Sequence, residues 1–239
     1  MNKIIGYQFN GLCNRIYTLL NVEYLLDQHG YNEAAFVWAL TPRCNCLFRD
    51  VLSAPHSRVK ILGRFKQIET ELAGKFIPVI RRRHQLIDDV PHEVAICCNP
   101  APLLPQVLDY WELYDWSSEV KKLIPNVDLS QIAGVHIRRT DGTPGMIAPI
   151  EKFEQEIGKH QRVFLATDDE NVKARILDKF PQTITLAAPE REPTDSVAIQ
   201  YAAAELACLS QCAIVVGTRA SSFSRFATDL SGKRRVLVN

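Results

Sequence analysis

The sequence lacks an excess of charge of either sign. Its 239 residues include 28 basic and 27 acidic side chains, which gives a formal net charge of +1. Nucleic acids and anionic membrane surfaces select proteins with a strongly basic face. The charge balance therefore argues against both as partners, and the basic cluster Arg81–His84 is typical of a solvated turn.

Long apolar segments are also missing. No apolar run approaches the roughly 18–20 residues that span a bilayer, and the N-terminal residues enter an apolar strand without the features of a secretory signal. The seven cysteines are odd in number and include the adjacent Cys97 and Cys98. Reduced thiols in a cytoplasmic protein are the simplest account of this pattern.

Several common ligand-binding and catalytic motifs are absent. Cys44–Cys46 and Cys97–Cys98 have C-x-C and C-C spacing, unlike the C-x2-C pairs of zinc sites, so no metal is expected. The chain contains neither a P-loop nor the G-x-S-x-G nucleophile elbow of hydrolases. Gly11–Arg15 has too few glycines for a dinucleotide-binding fingerprint.

The hydrophobic pattern predicts an α/β protein. An apolar strand at 4–9, a glycine turn, a helix that ends near Gly30 and a strand at 34–39 form a β-α-β opening. From residue 131 onward, five predicted strands alternate with four predicted helices, which indicates a doubly wound parallel sheet. These strands are 133–137, 163–166, 184–186, 213–216 and 235–238, and the helices are 150–159, 170–179, 196–209 and 223–230.

This organisation predicts two Rossmann-like halves, 1–120 and 121–239, with weaker strand signals at 59–62 and 94–98 and a short helix near 107–114. Ligands of such sheets bind beyond the carboxyl ends of the strands. The loops at those ends carry the most distinctive polar residues of the chain. They are Asn10–Arg15, Arg138–Ala148, Thr167–Asp169 and Gly217–Ser222.

Arg138 and Arg139 follow directly on a predicted strand, and their side chains are expected to point to opposite sides. An arginine there offers a permanently charged fork that suits phosphate oxygens. Its neighbour can pair with Asp141 or pack behind it. The alternative is two ordinary surface arginines.

Asp168 and Asp169 stand between a strand and a helix. One of them is a natural N-cap, and the other is then available to read the Watson–Crick edge of guanine. Gly217–Ser224 also joins a strand to a helix, where small hydroxyl residues and the helix dipole form an anion site. The alternatives are capping alone for the aspartates and a tight turn without a ligand for Gly11–Arg15.

Three segments of the C-terminal half carry a family resemblance, in a fixed order. They are Gly134–Asp141 with Pro149–Phe153, then Phe164–Asp169, and then Leu209–Gln211 with Val215–Ala227. They resemble motifs of the α1,6-fucosyltransferases, which include the animal core N-glycan enzyme and the rhizobial chitooligosaccharide enzyme and are related to the protein O-fucosyltransferases. Gly11–Arg15 is similar to the N-terminal loop of that family.

The resemblance implies a GT-B fold, with two Rossmann-like halves facing across a cleft. The N-terminal half would take the acceptor and the C-terminal half the donor. It also implies inverting, metal-independent transfer of fucose from GDP-fucose to a glycan or glycoconjugate, with no cofactor beyond the GDP-sugar itself.

The residue roles that the resemblance implies all concern the donor. Arg138 would hold the β-phosphate and stabilise leaving-group charge, as the catalytic residue. The remaining donor contacts would be His136 and one of Asp168 and Asp169 at the nucleoside, Ser221 and Ser222 at the diphosphate, and Asn14 and Arg15 in the N-terminal loop.

Met146 stands where the core N-glycan enzyme has a carboxylate proposed as the acceptor base. Asp141 and Glu151 are the remaining candidates for a base, and both can be structural instead. The missing carboxylate motivates a second hypothesis, a nucleotide-sugar-binding protein without catalysis. Use of another GDP-sugar and an unrelated nucleotide-binding α/β protein of the flavodoxin-like kind are further alternatives.

Overall fold

The computed structural model describes residues 2–63, 79–80, 94–139, 148–186, 196–218 and 221–238. The chain divides into two compact units. The first contains the described residues up to Glu119 together with 196–200, and the second contains those from Val120 to 186 together with those from Tyr201 onward. This differs from the contiguous halves predicted at 1–120 and 121–239, because the first unit also takes the start of a late helix. The predicted basic turn at 81–84 lies outside the described residues.

The elements are numbered here in chain order. The strands are β1 (Lys3–Tyr7), β2 (Glu33–Val37), β3 (Leu52–Ser53), β4 (Lys60–Leu62), β5 (Val79–Ile80), β6 (Val94–Cys97), β7 (Asp115–Trp116), β8 (Ala133–Ile137), β9 (Val163–Thr167), β10 (Ile214–Thr218) and β11 (Arg234–Val238). The helices are α1 (Leu12–Gln28), α2 (Phe48–Val51), α3 (Ser118–Leu123), α4 (Ile150–Ile157), α5 (Glu170–Lys179), α6 (Ser196–Gln211) and α7 (Ser222–Ser231), with a 3-10 helix at Pro105–Leu113. None of the helices in the described parts of the chain is both long and apolar enough to cross a membrane.

The first unit is built on a parallel sheet with the strand order β4-β2-β1-β6-β5. Ile4 and Ile5 of β1 are fully buried, as expected for a central strand covered on both faces. Helix α1 packs closely on this strand, because a Cβ at Gly6 would lie 2.5 Å from the Phe36 ring and 2.6 Å from the Val22 side chain. A glycine in β1 therefore allows the close approach of α1 to the sheet at Val22.

The second unit is built on a parallel sheet with the order β11-β10-β8-β9. The chain runs from β8 outward to β9 and then returns past β8 to β10. Right-handed crossovers in opposite directions place helices on both faces of such a sheet. The strand order reverses between β8 and β10, and ligands of doubly wound sheets bind at this kind of reversal, beyond the carboxyl ends of the strands.

The structure confirms the predicted α/β class and the parallel sheets. The strand predicted at 184–186 is wrong, because only Ile184 forms a bridge, to Phe164 of β9. The carbonyl of the next apolar residue, Leu186, accepts from Lys173 Nζ (3.2 Å) and so has a side-chain partner in place of a strand. The second sheet thus has four strands among the described residues. Helices α2 and α3 and the antiparallel pair of β3 and β7 were not predicted.

Candidate functional site

The strand reversal of the second unit brings His136 of β8 beside Gly217 of β10. The His136 ring is buried, and its Nδ1 lies 3.2 Å from the Ser221 hydroxyl. The Phe223 ring stacks on it with 4.7 Å between centroids and 25° between planes. These contacts fix the imidazole at the carboxyl edge of the sheet. The sequence interpretation missed Phe223, although its position directly after the two serines was the available signal.

The start of helix α7 is held against the same edge. Ser221 is its N-cap, with the hydroxyl accepting from the Ser224 N–H at 3.5 Å, and Ser222 is exposed at the first helical position. A Cβ at Gly217 would lie 2.6 Å from the Ser224 Cβ, so glycine permits this close approach of helix to strand. The unbonded N–H groups of a first helical turn, together with the helix dipole, favour a bound anion.

Arg138 lies beside Asp168 at the ends of β8 and β9. Its Nε is 3.4 Å from Asp168 Oδ2, and the two side chains are 36% and 24% exposed. The other carboxylate oxygen accepts from the backbone N–H of Arg139 at 2.8 Å. Asp168 therefore ties the two strand ends together, and it is not the uncommitted carboxylate that the capping argument predicted.

The predicted N-cap between strand and helix is confirmed, and it is Asp169. Its Oδ1 accepts from the N–H groups of Asn171 at 2.9 Å and Val172 at 3.1 Å. Thr167 stabilises the same turn, because its hydroxyl donates to the Ile137 carbonyl at 2.8 Å. The two adjacent aspartates thus have different roles. Asp169 caps the helix that follows it, and Asp168 bonds to the residues at the end of β8.

The two adjacent arginines diverge, as the strand geometry predicts. Arg139 donates from Nη1 to the Ala148 carbonyl at 3.0 Å, which ties the strand end to the start of helix α4. Arg138 keeps about a third of its side chain exposed at the sheet edge. The role of Arg138 as a donor contact stays a prediction. The predicted alternative partner, Asp141, lies outside the described residues.

The carboxyl edge of the first unit is organised by Gln8, which the sequence interpretation missed. Its Oε1 accepts from the N–H groups of Phe9 (3.0 Å) and Asn10 (3.2 Å), and its Nε2 donates to the Cys98 carbonyl (3.2 Å). The side chain therefore joins the ends of β1 and β6, where the strand order of this sheet also reverses. A polar residue near the end of the strand predicted at 4–9 was the only signal for it.

Arg15, predicted as a donor contact, is fully buried inside the first unit. It donates from Nε to the Asn10 carbonyl (2.9 Å), from Nη1 to the Ala39 carbonyl (2.5 Å) and from Nη2 to the Thr41 hydroxyl (2.7 Å). Its guanidinium carbon lies 5.4 Å from the centre of the Trp38 ring. Burial lowers the pKa of Arg15. Arg15 thus connects two loops inside the first unit, because its donors are directed to the protein's own backbone and side chains.

Asn14 is half-buried in the first turn of α1, and its carbonyl accepts from the Thr18 hydroxyl at 2.9 Å. Its assignment as a donor contact stays a prediction.

Glu151, a candidate acceptor base, lies on the exposed face of helix α4 and pairs with Arg175 at 3.0 Å. A hydrogen bond from its own backbone and the Arg175 guanidinium lower the pKa of Glu151. A carboxylate with a lowered pKa is a weaker proton acceptor, so the structure disfavours this role. Asp141 and Met146 lie outside the described residues. Within those residues, no three His, Cys, Asp or Glu side chains are grouped as metal ligands.

No protein-family model matches the chain, and no curated protein sequence matches it. Solved structures do. NodZ α-1,6-fucosyltransferase, solved after soaking with GDP-fucose, superposes with a TM-score of 0.70 at 17% identity, over 96% of this chain and 92% of that one. A NodZ structure that gives its source as Bradyrhizobium has a TM-score of 0.69, also at 17% identity, over 95% and 91% of the two chains.

Two other fucosyltransferases are also similar. POFUT1 without ligand has a TM-score of 0.58 at 12% identity, over 100% of this chain and 98% of that one. A mutant of Arabidopsis thaliana FUT1 in complex with GDP has a TM-score of 0.62 at 15% identity, over 98% of this chain and 69% of that one. These likenesses extend over nearly the whole chain, and the fold of this protein is therefore that of the fucosyltransferases.

Proposed function

We propose that this protein is a glycosyltransferase that transfers fucose from GDP-fucose to a glycan or glycoconjugate, with inversion and without a metal ion. The observation that supports this most directly is the placement of Arg138 against Asp168 at the carboxyl end of β8. This placement occurs in a fold shared with fucosyltransferases that have been solved with GDP or GDP-fucose.

The donor diphosphate would bind between Arg138 and the N-terminus of α7. Arg138 supplies a full positive charge to the β-phosphate, and Ser221 and Ser222 lie where a first helical turn offers N–H groups to an anion. His136, fixed by Ser221 and Phe223, would contact the nucleoside. Asp168 and Asp169 would lie near His136. Asp168 would hold the ends of β8 and β9 together, and Asp169 would hold the start of helix α5.

The reaction needs stabilisation of the charge that develops on the departing GDP. When the acceptor hydroxyl attacks the anomeric carbon from the face opposite the diphosphate, the bond to the β-phosphate oxygen breaks and the configuration inverts. GDP departs as the leaving group, and the hydroxyl proton is released to solvent. Asp168 holds Arg138 before the reaction begins, so little reorganisation is needed when charge appears. Loss of one such interaction typically costs a factor of about 10²–10³ in rate.

The test is turnover of GDP-fucose with a panel of glycan acceptors, comparing wild type with Arg138→Ala. Arg225→Ala is the matched control, because Arg225 pairs with Asp229 on helix α7 of the same unit and has no assigned role in the site. We expect Arg225→Ala to keep wild-type turnover and Arg138→Ala to lose about 10²–10³-fold. Wild-type turnover in Arg138→Ala would overturn the proposal.

Binding measurements separate the alternatives. GDP should raise the melting temperature of the wild-type protein, because a ligand that binds only the folded state stabilises it. Protection by GDP without turnover of any GDP-sugar would instead support a binding protein without catalysis. Turnover of GDP-mannose in preference to GDP-fucose would show that the transferred sugar is mannose. Protection by UDP- or CDP-sugars alone would overturn the assignment of a GDP-sugar as the donor. Full activity in the presence of EDTA is expected.

A further inference from the structure

Cys44 and Cys46 face one another inside the first unit. Their sulfur atoms are 3.6 Å apart, and both side chains are buried. The backbone holds them there, because Cys44 forms a bridge with Thr41 (Cys44 N to Thr41 O, 2.9 Å) and the Cys46 carbonyl accepts from Trp38 Nε1 (2.9 Å). The thiol contact is therefore a consequence of the local turn.

The other buried cysteine pair has a different environment. Cys208 and Cys212 lie one turn apart on and just after helix α6, and the Cys212 thiol donates to the Cys208 carbonyl at 3.3 Å. Burial raises the pKa of both thiols to about 12. In contrast, the hydrogen bond from Cys46 and the nearby charge of Arg15 lower the pKa of Cys44. Because the thiolate is the reactive form, these surroundings distinguish Cys44 from the other pair.

We propose that Cys44 and Cys46 are an oxidative modification site that forms a reversible intrachain disulfide. The sulfur contact and the hydrogen-bonded turn that fixes it carry this inference. The oxidant class is a hydroperoxide, with hydrogen peroxide as the smallest member, because a small neutral molecule can reach buried sulfur more easily than a bulky disulfide can.

The reaction balances in two steps. The Cys44 thiolate attacks one peroxide oxygen, the O–O bond breaks, and hydroxide leaves, which gives a sulfenic acid on Cys44. The Cys46 sulfur then attacks the Cys44 sulfur, the S–O bond breaks, and the departing hydroxide takes the Cys46 proton as water. Two thiols are oxidised by two electrons and one peroxide is reduced to water. A dithiol reductant such as dithiothreitol reverses the change.

Formation of the disulfide shortens the separation of the sulfur atoms from 3.6 Å to about 2.05 Å. Thr41 and Trp38, which are bonded to the backbone of this turn, are also contacts of Arg15. Arg15 in turn holds the Asn10 carbonyl at the start of the loop that precedes α1. Oxidation should therefore disturb that loop within the first unit.

The first measurement is chemical. Reduced protein is treated with hydrogen peroxide, denatured, alkylated and digested with trypsin. Cleavage after Arg43 and Arg49 releases a peptide that contains Cys44 and Cys46 and no other cysteine. We expect this peptide unalkylated and about 2 Da lighter than its dithiol form, with dithiothreitol restoring alkylation.

Cys208→Ser is the matched control and should form the same linkage. Cys46→Ser should stop at a sulfenic acid on Cys44 that dimedone captures. Full alkylation of both cysteines after peroxide treatment of the wild type would overturn the proposal, whichever variants fold.

The second measurement is the melting temperature of the reduced and the oxidised protein without ligand. We expect oxidation to shift it and dithiothreitol to restore it, because the disulfide changes the turn that Arg15 contacts. A disulfide that forms without shifting the melting temperature would overturn the connection to the loop. Neither measurement uses GDP, so both outcomes are independent of the proposed function.

Discussion

Asp168 contacts both of the arginines that follow β8, with one oxygen 3.4 Å from Arg138 Nε and the other accepting the Arg139 backbone N–H at 2.8 Å. The two contacts differ in what they require. The backbone contact needs only an oxygen acceptor, whereas the contact to Arg138 depends on charge. One substitution can therefore separate them.

Asp168→Asn should keep the backbone hydrogen bond and weaken the hold on Arg138. Because both partners are partly exposed, we expect the GDP affinity to fall by up to about fivefold, which corresponds to about 1 kcal/mol of binding free energy. Isothermal titration with GDP measures this, and the melting temperature of the apo protein should change little. Unchanged affinity and turnover would show that Asp168 does not position Arg138.

Ser221→Ala should destabilise the second unit by about 1 kcal/mol, because it removes the N-cap of α7. It also removes the partner of His136, so GDP affinity should fall as well. Urea denaturation measures the stability. Ser222→Ala is the control, since that exposed side chain caps nothing in the structure and should change stability by less than about 0.5 kcal/mol. Equal effects of the two variants would contradict the capping role.

Gly217→Ala should lower the free energy of unfolding by about 1–3 kcal/mol, because the new Cβ would lie 2.6 Å from the Ser224 Cβ and force α7 away from β10. Gly63→Ala is the control, since a Cβ there meets no atom within 4 Å. Gly217→Ala should also weaken GDP binding. Adding Ser224→Gly should restore part of the GDP affinity, because the smaller residue leaves room for the new Cβ. If Gly217→Ala binds GDP like the wild type, the close approach of helix and strand is not needed for the site.

Arg15→Lys should lower the free energy of unfolding by several kcal/mol, about 3 at the least, because an ammonium cannot replace the three directions of the guanidinium fork. Chemical denaturation measures this. Arg43→Lys is the control, since Arg43 makes an exposed contact with Asn10 in the same region. If Arg15→Lys lost GDP affinity with unchanged stability, Arg15 would be a ligand contact after all.

Glu154 should make the protein sensitive to acid. Its buried carboxylate accepts from Arg175 (2.7 Å) and Lys179 (2.8 Å), and these hydrogen bonds lower the pKa of Glu154. A carboxyl with a lowered folded pKa contributes stability above its unfolded pKa, and this stability is lost as pH falls through the folded value. Glu154→Gln should therefore lower the melting temperature at neutral pH by roughly 2–4 °C.

The same variant should flatten the decline in melting temperature between about pH 5 and pH 3. Glu156→Gln, which removes the i,i+3 pair with Lys159, serves as the control. A wild-type acid decline retained in Glu154→Gln would show that another group controls it.

The strand-end loops were predictable because apolar runs and their polar ends are local features of the sequence. Pairwise contacts were not. The role of Asp168 depends on the register that places Ile137 beside Thr167. The burial of Arg15 depends on carbonyl and hydroxyl groups that lie 24 and 26 residues further along the chain. Local patterns carry no information about such register and distance.

Helix α6 has a consequence for protein engineering. Its first residues, 196–200, belong to the first compact unit, and those from Tyr201 onward belong to the second. The two units are therefore not consecutive stretches of chain. A chimera that exchanges one unit with a protein of the same fold needs three splice points, at 119–120, between 186 and 196, and at 200–201. A single cut near residue 120 would leave part of the first unit behind.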